Sequence, residues 1–335
     1  MCIKSLSSLK ILHILILKNR PPQCFEHFKS NKLNFFNLKA IASNIETVGS
    51  SSKIKDYGIL MKFKLSLTVV FSAVMAYLIA LEGQINWLNV TVLFLGGFFT
   101  TGAANALNQV LEKDYDKLMK RTENRPLATG RMTSSEAILV AGLSSLVGVT
   151  LLAAFNPMTS FLGMVSLILY AFVYTPMKRV SNVSVFIGAI PGALPIAIGC
   201  TAAQNGTITG LATALFTLQF IWQFIHFLAI AWLGDEDYKN AVFYMMHSKN
   251  GEKDKTTGLH SIIHSLVLIP VSWMPYFLGV TGLVSAIILS VLAISFLYFA
   301  IKLYKECSQE AAKKQMFFSL AYLPIALFAL YFDKI

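Results

Sequence analysis

Charge is scarce in this chain: 13% of its 335 residues are Asp, Glu, Lys or Arg, against 55% hydrophobic residues. An average soluble domain carries roughly 25% charged residues, so the composition excludes an ordinary water-soluble protein. Cysteine is scarce too. Cys2, Cys24, Cys200 and Cys307 share no paired spacing, which excludes a disulfide framework or a zinc site built on Cys pairs. Short segments alternating apolar and polar residues are missing, which excludes a membrane β-barrel. The first fifty residues hold a single arginine, Arg20. Within them the apolar run 11–17 is too short to cross a bilayer and lacks the cleavage pattern of a secretory signal.

What is present is a series of apolar stretches long enough to cross a ~30 Å hydrocarbon layer as helices. They run over 63–82, 88–111, 134–154, 158–175, 184–203, 209–233, 260–280, 282–303 and 316–333. Helices are the only alternative to a barrel for satisfying backbone polar groups in lipid. The predicted fold is therefore an all-α polytopic membrane protein, nine transmembrane helices around a central cavity, with the lipid bilayer as its first partner.

Lys and Arg gather in alternate loops. Lys113, Lys117, Lys120, Arg121, Arg125 and Arg131 follow the second stretch, and Lys178 and Arg179 the fourth. Lys239, Lys249, Lys253 and Lys255 follow the sixth, and Lys302, Lys305, Lys313 and Lys314 the eighth, while the intervening loops hold none. The positive-inside rule then predicts the N-terminus inside and the C-terminus outside. Topology and anionic lipid account for most of the net charge of +11, so no nucleic acid is expected as a partner. Residues 1–54 form a basic extension, read as a disordered tail, as translation from an upstream start, or last as an organelle transit peptide. The membrane domain is 55–335.

One stretch breaks the charge pattern. Between Asn105 and Leu127 an apolar run ends in amides, carboxylates and guanidinium groups. Asn108, Glu112 and Asp116 are spaced i, i+4, i+8 and drift by only about 80° around a helix, so one face presents all three. That oxygen-rich stripe suits Mg2+, which takes one or two carboxylates and completes its shell with water and phosphate. Asp114 points away if the helix continues, and joins as a substrate contact only if the helix ends near Glu112. Arg121 and Arg125 add planar donors for phosphate oxygens, with Lys178 and Arg179 at the end of the fourth stretch. The alternative, a solvated basic loop, accounts for the cations but not for an amide and two acids in register. A second acidic cluster, Asp235 and Asp237, follows the sixth stretch where basic residues are expected, and would hold a second Mg2+. His226 lies eleven residues before Asp237, about 16 Å up a helix. With Gln223 one turn earlier it contacts substrate, or else bonds a neighbouring helix. His260 and His264 have metal-compatible i, i+4 spacing, although histidines are common at membrane interfaces.

The pattern Asn108-x-x-x-Glu112-x-Asp114-x-Asp116 followed by Arg121-Thr122-x-x-Arg125-Pro126-Leu127 resembles the first aspartate-rich motif of the UbiA-type intramembrane prenyltransferases. Three further blocks resemble the branch of that family that acts on heme: Tyr174-Thr175-x-x-Lys178-Arg179 leading into 188–195, Trp222-Gln223-x-x-His226-Phe227, and Asp237-Tyr238-x-x-Ala241. Glu112 stands where the wider family has Asp, Ile225 replaces a proline, and Val242 replaces a glycine. The resemblance implies transfer of a farnesyl group from farnesyl diphosphate to a vinyl group of heme B, giving heme O. It implies Mg2+ as cofactor, Arg121, Arg125, Lys178 and Arg179 at the leaving group, and Asn108, Asp114, Gln223 and His226 as substrate contacts. It further implies a bacterial inner membrane, ahead of the mitochondrial one, with the site on the cytoplasmic face. A heme A synthase or oxidase assembly factor would take the product. Other aromatic acceptors, of the 4-hydroxybenzoate or chlorophyll kind, remain as alternatives. A heme carrier or transporter is a further one, although only 188–195 reads as the mid-helix break that transporters favour.

Overall fold

The computed structural model describes residues 53–245 and 253–335. The predicted extension, save its last two residues, and Lys249 lie outside the described residues. Among those described, nine helices are long and apolar enough to cross a membrane: α1 (Phe63–Ala80), α2 (Trp87–Asp116), α3 (Ser134–Ala153), α4 (Pro157–Met177), α5 (Ser184–Ala203), α6 (Gly210–Leu233), α7 (Lys255–Phe277), α8 (Leu283–Glu306) and α9 (Gln309–Phe332). The chain is an integral membrane protein. Among these residues β-type pairing is limited to an isolated bridge between Thr281 and Lys334.

Local chemistry sets the helix starts. Side chains of Asn86, Thr133, Asn156, Thr209, Asp254 and Ser308 each accept a hydrogen bond from a backbone N–H of the first turn, filling donors that the helix leaves open. Two of these caps lengthen helices beyond their apolar stretches. Asp254 starts α7 at Lys255 rather than at 260, and Ser308 starts α9 at Gln309 rather than at 316. Helix α2 likewise runs on to Asp116, past its apolar end at 111.

Each helix packs on its successor, and α9 returns to α1, closing a ring; α5 additionally crosses α1, and α6 crosses α9. Helices α5 and α6 are the interior members, with 78% and 61% of their membrane windows buried against 28% for α3. Close crossings rest on glycine. A Cβ on Gly199 of α5 would collide with the Ala73 carbonyl of α1, so those backbones touch. The prolines at 191 and 195 lie inside a continuous α5, so the mid-helix break expected at 188–195 is absent. Gly192 O, next to Pro191, accepts from Gln219 Nε2 at 2.8 Å, and Pro191 O accepts from Ser166 Oγ at 3.2 Å. Neighbouring helices thus re-satisfy backbone groups around the prolines.

Helix α4 does change form. Its segment Leu169–Tyr174 is π-helical, one turn before Pro176, where a missing N–H and a ring clash disfavour the α-helical register. Thr175 Oγ1 donates to the Tyr170 carbonyl at 2.8 Å. The widened turn carries Tyr170, Tyr174 and Thr175, all of which reach the site below.

Candidate active site

The loops after α2, α4 and α6 meet at one end of the ring. Thr122 Oγ1 donates to Asp116 O at 2.9 Å, folding the loop back under α2. Asp237 accepts from the backbone amides of Lys120 and Arg121 at 3.0 and 3.4 Å. Tyr244 N donates to Lys178 O at 2.7 Å. The three loops are therefore stitched together through backbone groups.

Because α2 stays helical to Asp116, Asn108, Glu112 and Asp116 share its buried face, each at most 3% exposed. Asn108 Nδ2 donates to Glu112 Oε2 at 2.9 Å and to Thr175 Oγ1 at 3.0 Å. Lys178 Nζ lies 2.6 Å from Glu112 Oε1, a buried ion pair. Arg125 Nη1 reaches both Asp116 oxygens, at 2.8 and 2.9 Å. The same helical continuation turns Asp114 outward, to pair with Lys117 at 2.8 Å on the exposed surface. It does not join the cluster.

Lys62 was not singled out by its sequence context. It ends the lead-in to α1 in a left-handed conformation, φ 46°, and its Nζ donates to Asn108 Oδ1 at 2.9 Å and to Tyr170 Oη at 3.4 Å. Gln109 holds that lead-in by donating to the Ile59 and Leu60 carbonyls, both at 2.8 Å. Burial of the ammonium group, reinforced by Arg125 and Lys178, pulls the Lys62 pKa down to about 7. The legible signal was a lysine immediately ahead of an apolar helix, which the positive-inside rule absorbs without further meaning.

The other predicted residues are divided. Arg121 stacks over the Tyr238 ring at 4.3 Å, and Arg179 lies 4.8 Å over Tyr115 and donates to its hydroxyl at 3.1 Å. Asp235 is buried and paired with Lys239 at 2.8 Å. Gln223 and His226 lie further up α6, lining a cavity of about 270 Å³ with Tyr170, Tyr174 and Trp222. Among the described residues the buried amide oxygens of Gln219 and Gln223, both in that lining, have no hydrogen-bond partner. His226 Nδ1 is 2.7 Å from Ser319 Oγ, and its ring stacks on Trp222 at 5.1 Å. Tyr170 and Tyr174 belong to both regions: Lys62 and Lys178 touch them from the charged side, and the cavity from the other.

The buried oxygen donors of Asn108, Glu112 and Asp116, on one helix face, fit Mg2+, which needs only one or two carboxylates beside water and phosphate. Among the described residues no group of three or more His, Cys, Asp or Glu is gathered for a metal. A cation here would therefore share its shell with a phosphate ligand. A charged mouth over an apolar chamber defines an intramembrane site for a substrate with an anionic head and a hydrocarbon tail.

Residues 69–321 match the UbiA prenyltransferase family, and the chain belongs to that family. It is 42% identical over 286 residues to the protoheme IX farnesyltransferase of Cytophaga hutchinsonii, covering 85% of this chain and 99% of that one. The protein of that name from Flavobacterium psychrophilum is 41% identical over 291 residues, covering 84% and 95%. Among solved structures, a digeranylgeranylglyceryl phosphate synthase shares the fold with a TM-score of 0.70 at 20% identity, over 84% of this chain and 98% of that one. A UbiA homolog from Archaeoglobus fulgidus bound to GPP and Mg2+ superposes with a TM-score of 0.60 at 14% identity, over 82% and 99%.

Proposed function

We propose that this chain transfers the farnesyl group of farnesyl diphosphate to a vinyl group of heme B, giving heme O. The observation that carries the reading is the shared wall of Tyr170 and Tyr174. It sets a cage of Lys62, Lys178 and Arg125 directly against an apolar chamber, so a diphosphate in the first places its isoprenoid tail in the second. The names of the relatives, at 42% and 41% identity, support heme as the acceptor.

Mg2+ held by Asn108, Glu112 and Asp116, and a second ion at Asp235 and Asp237, would neutralise the diphosphate oxygens. Lys178, Lys62 and Arg125 stabilise the negative charge that grows on the leaving group as the C1–O bond breaks. In the resting site those cations are held by Glu112, Asn108 and Asp116, which keeps them placed before substrate arrives. Arg121 reaches the same oxygens from the loop, while Arg179 acts by fixing Tyr115. The allylic cation is attacked by the vinyl group, forming the new C–C bond at farnesyl C1. Water then adds to the carbon next to the porphyrin ring and loses a proton, leaving a hydroxyl. The unpaired amide oxygens of Gln219 and Gln223 and the imidazole of His226 orient the porphyrin and that water, and Trp222 closes the wall. The charged end faces the cytoplasm of a bacterium, and a heme A synthase or an oxidase assembly factor takes the product.

The purified full chain, given heme B, farnesyl diphosphate and Mg2+, is expected to yield a heme whose mass has risen by one farnesyl and one hydroxyl group. Unmodified heme beside intact farnesyl diphosphate would overturn the reading, and a prenylated non-heme acceptor would redirect it.

A further inference from the structure

Helix α6 has two working faces. Trp222, Gln223 and His226 face the reaction chamber, while Phe220, Phe224 and Leu228 line a second cavity of about 480 Å³ between α6, the start of α5 and α7. Its walls are apolar and partly aromatic: Phe220 meets Phe224 edge-on at 5.1 Å, and Phe186 meets Phe220 edge-on at 5.5 Å. Among the described residues the lining holds two histidines, His260 and His264, and no acid, Lys or Arg. Nothing in the reaction proposed above uses them.

The geometry of His264 is informative. Its ring stacks on Phe224 at 4.5 Å with an interplanar angle of 23°. Its Nδ1 is 2.7 Å from the backbone carbonyl of His260, and since a carbonyl only accepts, Nδ1 carries the proton and Nε2 keeps its lone pair. That is the arrangement of a metal-ligating histidine, whose second nitrogen donates to a carbonyl and fixes the tautomer. A zinc ion is a poor match, because it needs three or four protein donors and the described lining holds two imidazoles with no carboxylate or thiolate. A metalloporphyrin brings four nitrogens of its own and asks the protein for a single axial ligand. The cavity's size lies within the range of small-molecule and cofactor sites. Val183 and Phe186, both in the lining, are 50% and 52% exposed, so a flat amphiphile can reach the cavity from the surface of the bundle.

We infer that this second cavity is a separate heme-binding site, with His264 Nε2 as axial ligand to the iron, where heme waits outside the reaction chamber. Its staging role rests on heme being the acceptor; binding itself does not.

The test is a titration of the full chain in lipid nanodiscs with ferric heme, read by Soret absorbance and resonance Raman. Wild-type protein is expected to take two equivalents. His264→Ala should lose one of them with its histidine-ligated signature, and added imidazole should restore it. At saturating heme the variant keeps the wild-type kcat for farnesyl transfer, while its KM for heme rises several-fold. His264→Phe, which preserves the stack on Phe224, should behave the same way and separates lost ligation from lost packing. Metal-free protoporphyrin IX should bind wild type and His264→Ala alike at this site. A single equivalent in the wild type, or two equivalents undiminished by His264→Ala, would overturn the inference. Two equivalents bound without any farnesylation would contradict the acceptor reading and leave this site standing. Farnesylation with one equivalent would do the reverse.

Discussion

The two acidic clusters at the charged end look equivalent as residues but are used differently. In the α2 cluster the acids lie on one buried helix face and hold cations: Glu112 meets Lys178 and Asp116 meets Arg125. In the α6 cluster, Asp237 spends its carboxylate on the amides of the opposing loop, and Asp235 pairs within its own short helix with Lys239. The difference teaches that similar acids do different work: one cluster holds cations on a buried helix face, while the other closes the loops.

The comparison breaks most visibly at Glu112 and Lys178. Lys178→Met leaves a buried carboxylate without its counter-ion, and should cost about 3–5 kcal/mol of stability together with all measurable transfer. Combining it with Glu112→Gln should restore the thermal midpoint in detergent but not turnover. If the single variant melts like wild type, the pair is not the buried element described here. At Asp237 a smaller and different loss is expected. Asp237→Ala removes the acceptor for two backbone amides, so the KM for farnesyl diphosphate should rise roughly tenfold, the size of one charge-assisted hydrogen bond, with kcat changing less. A collapse of kcat at unchanged KM would instead put Asp237 in the chemical step.

The smallest effect concerns the loop backbone next to Asp237. Val242 has φ 55°, a left-handed conformation that strains a β-branched residue, at the position where the family pattern has glycine. Val242→Gly should raise stability by about 1 kcal/mol, seen as a higher melting temperature. A lower one would mean that the strain is relieved in the protein.

Much of the fold was legible, because apolar length reports membrane crossings directly: all nine predicted spans are helices. Their ends at the charged face were less legible. Hydropathy sees the apolar core of a helix, whereas the caps at Asp254 and Ser308 and the run of α2 to Asp116 are set by side chains in polar sequence. Asp114 turned on that distinction. The register of Asn108, Glu112 and Asp116 was readable because helical spacing is regular. The part played by Lys62 was not, since a contact 46 residues away depends on a left-handed turn and on Gln109 gripping the lead-in carbonyls. Tyr170 was hidden similarly, because its place follows from the π-helical segment before Pro176.

The central claim is that the buried face of α2, and not its exposed acid, ionises the diphosphate. The most direct measurement compares heme farnesylation, by product mass, in Asp116→Ala and Asp114→Ala with both variants inserted in membranes at wild-type levels. Asp116→Ala should lose roughly a thousandfold or more in rate, while Asp114→Ala, which breaks only an exposed pair with Lys117, should stay within about twofold of wild type. Near-normal transfer by Asp116→Ala, or equal losses in the two, would contradict the account.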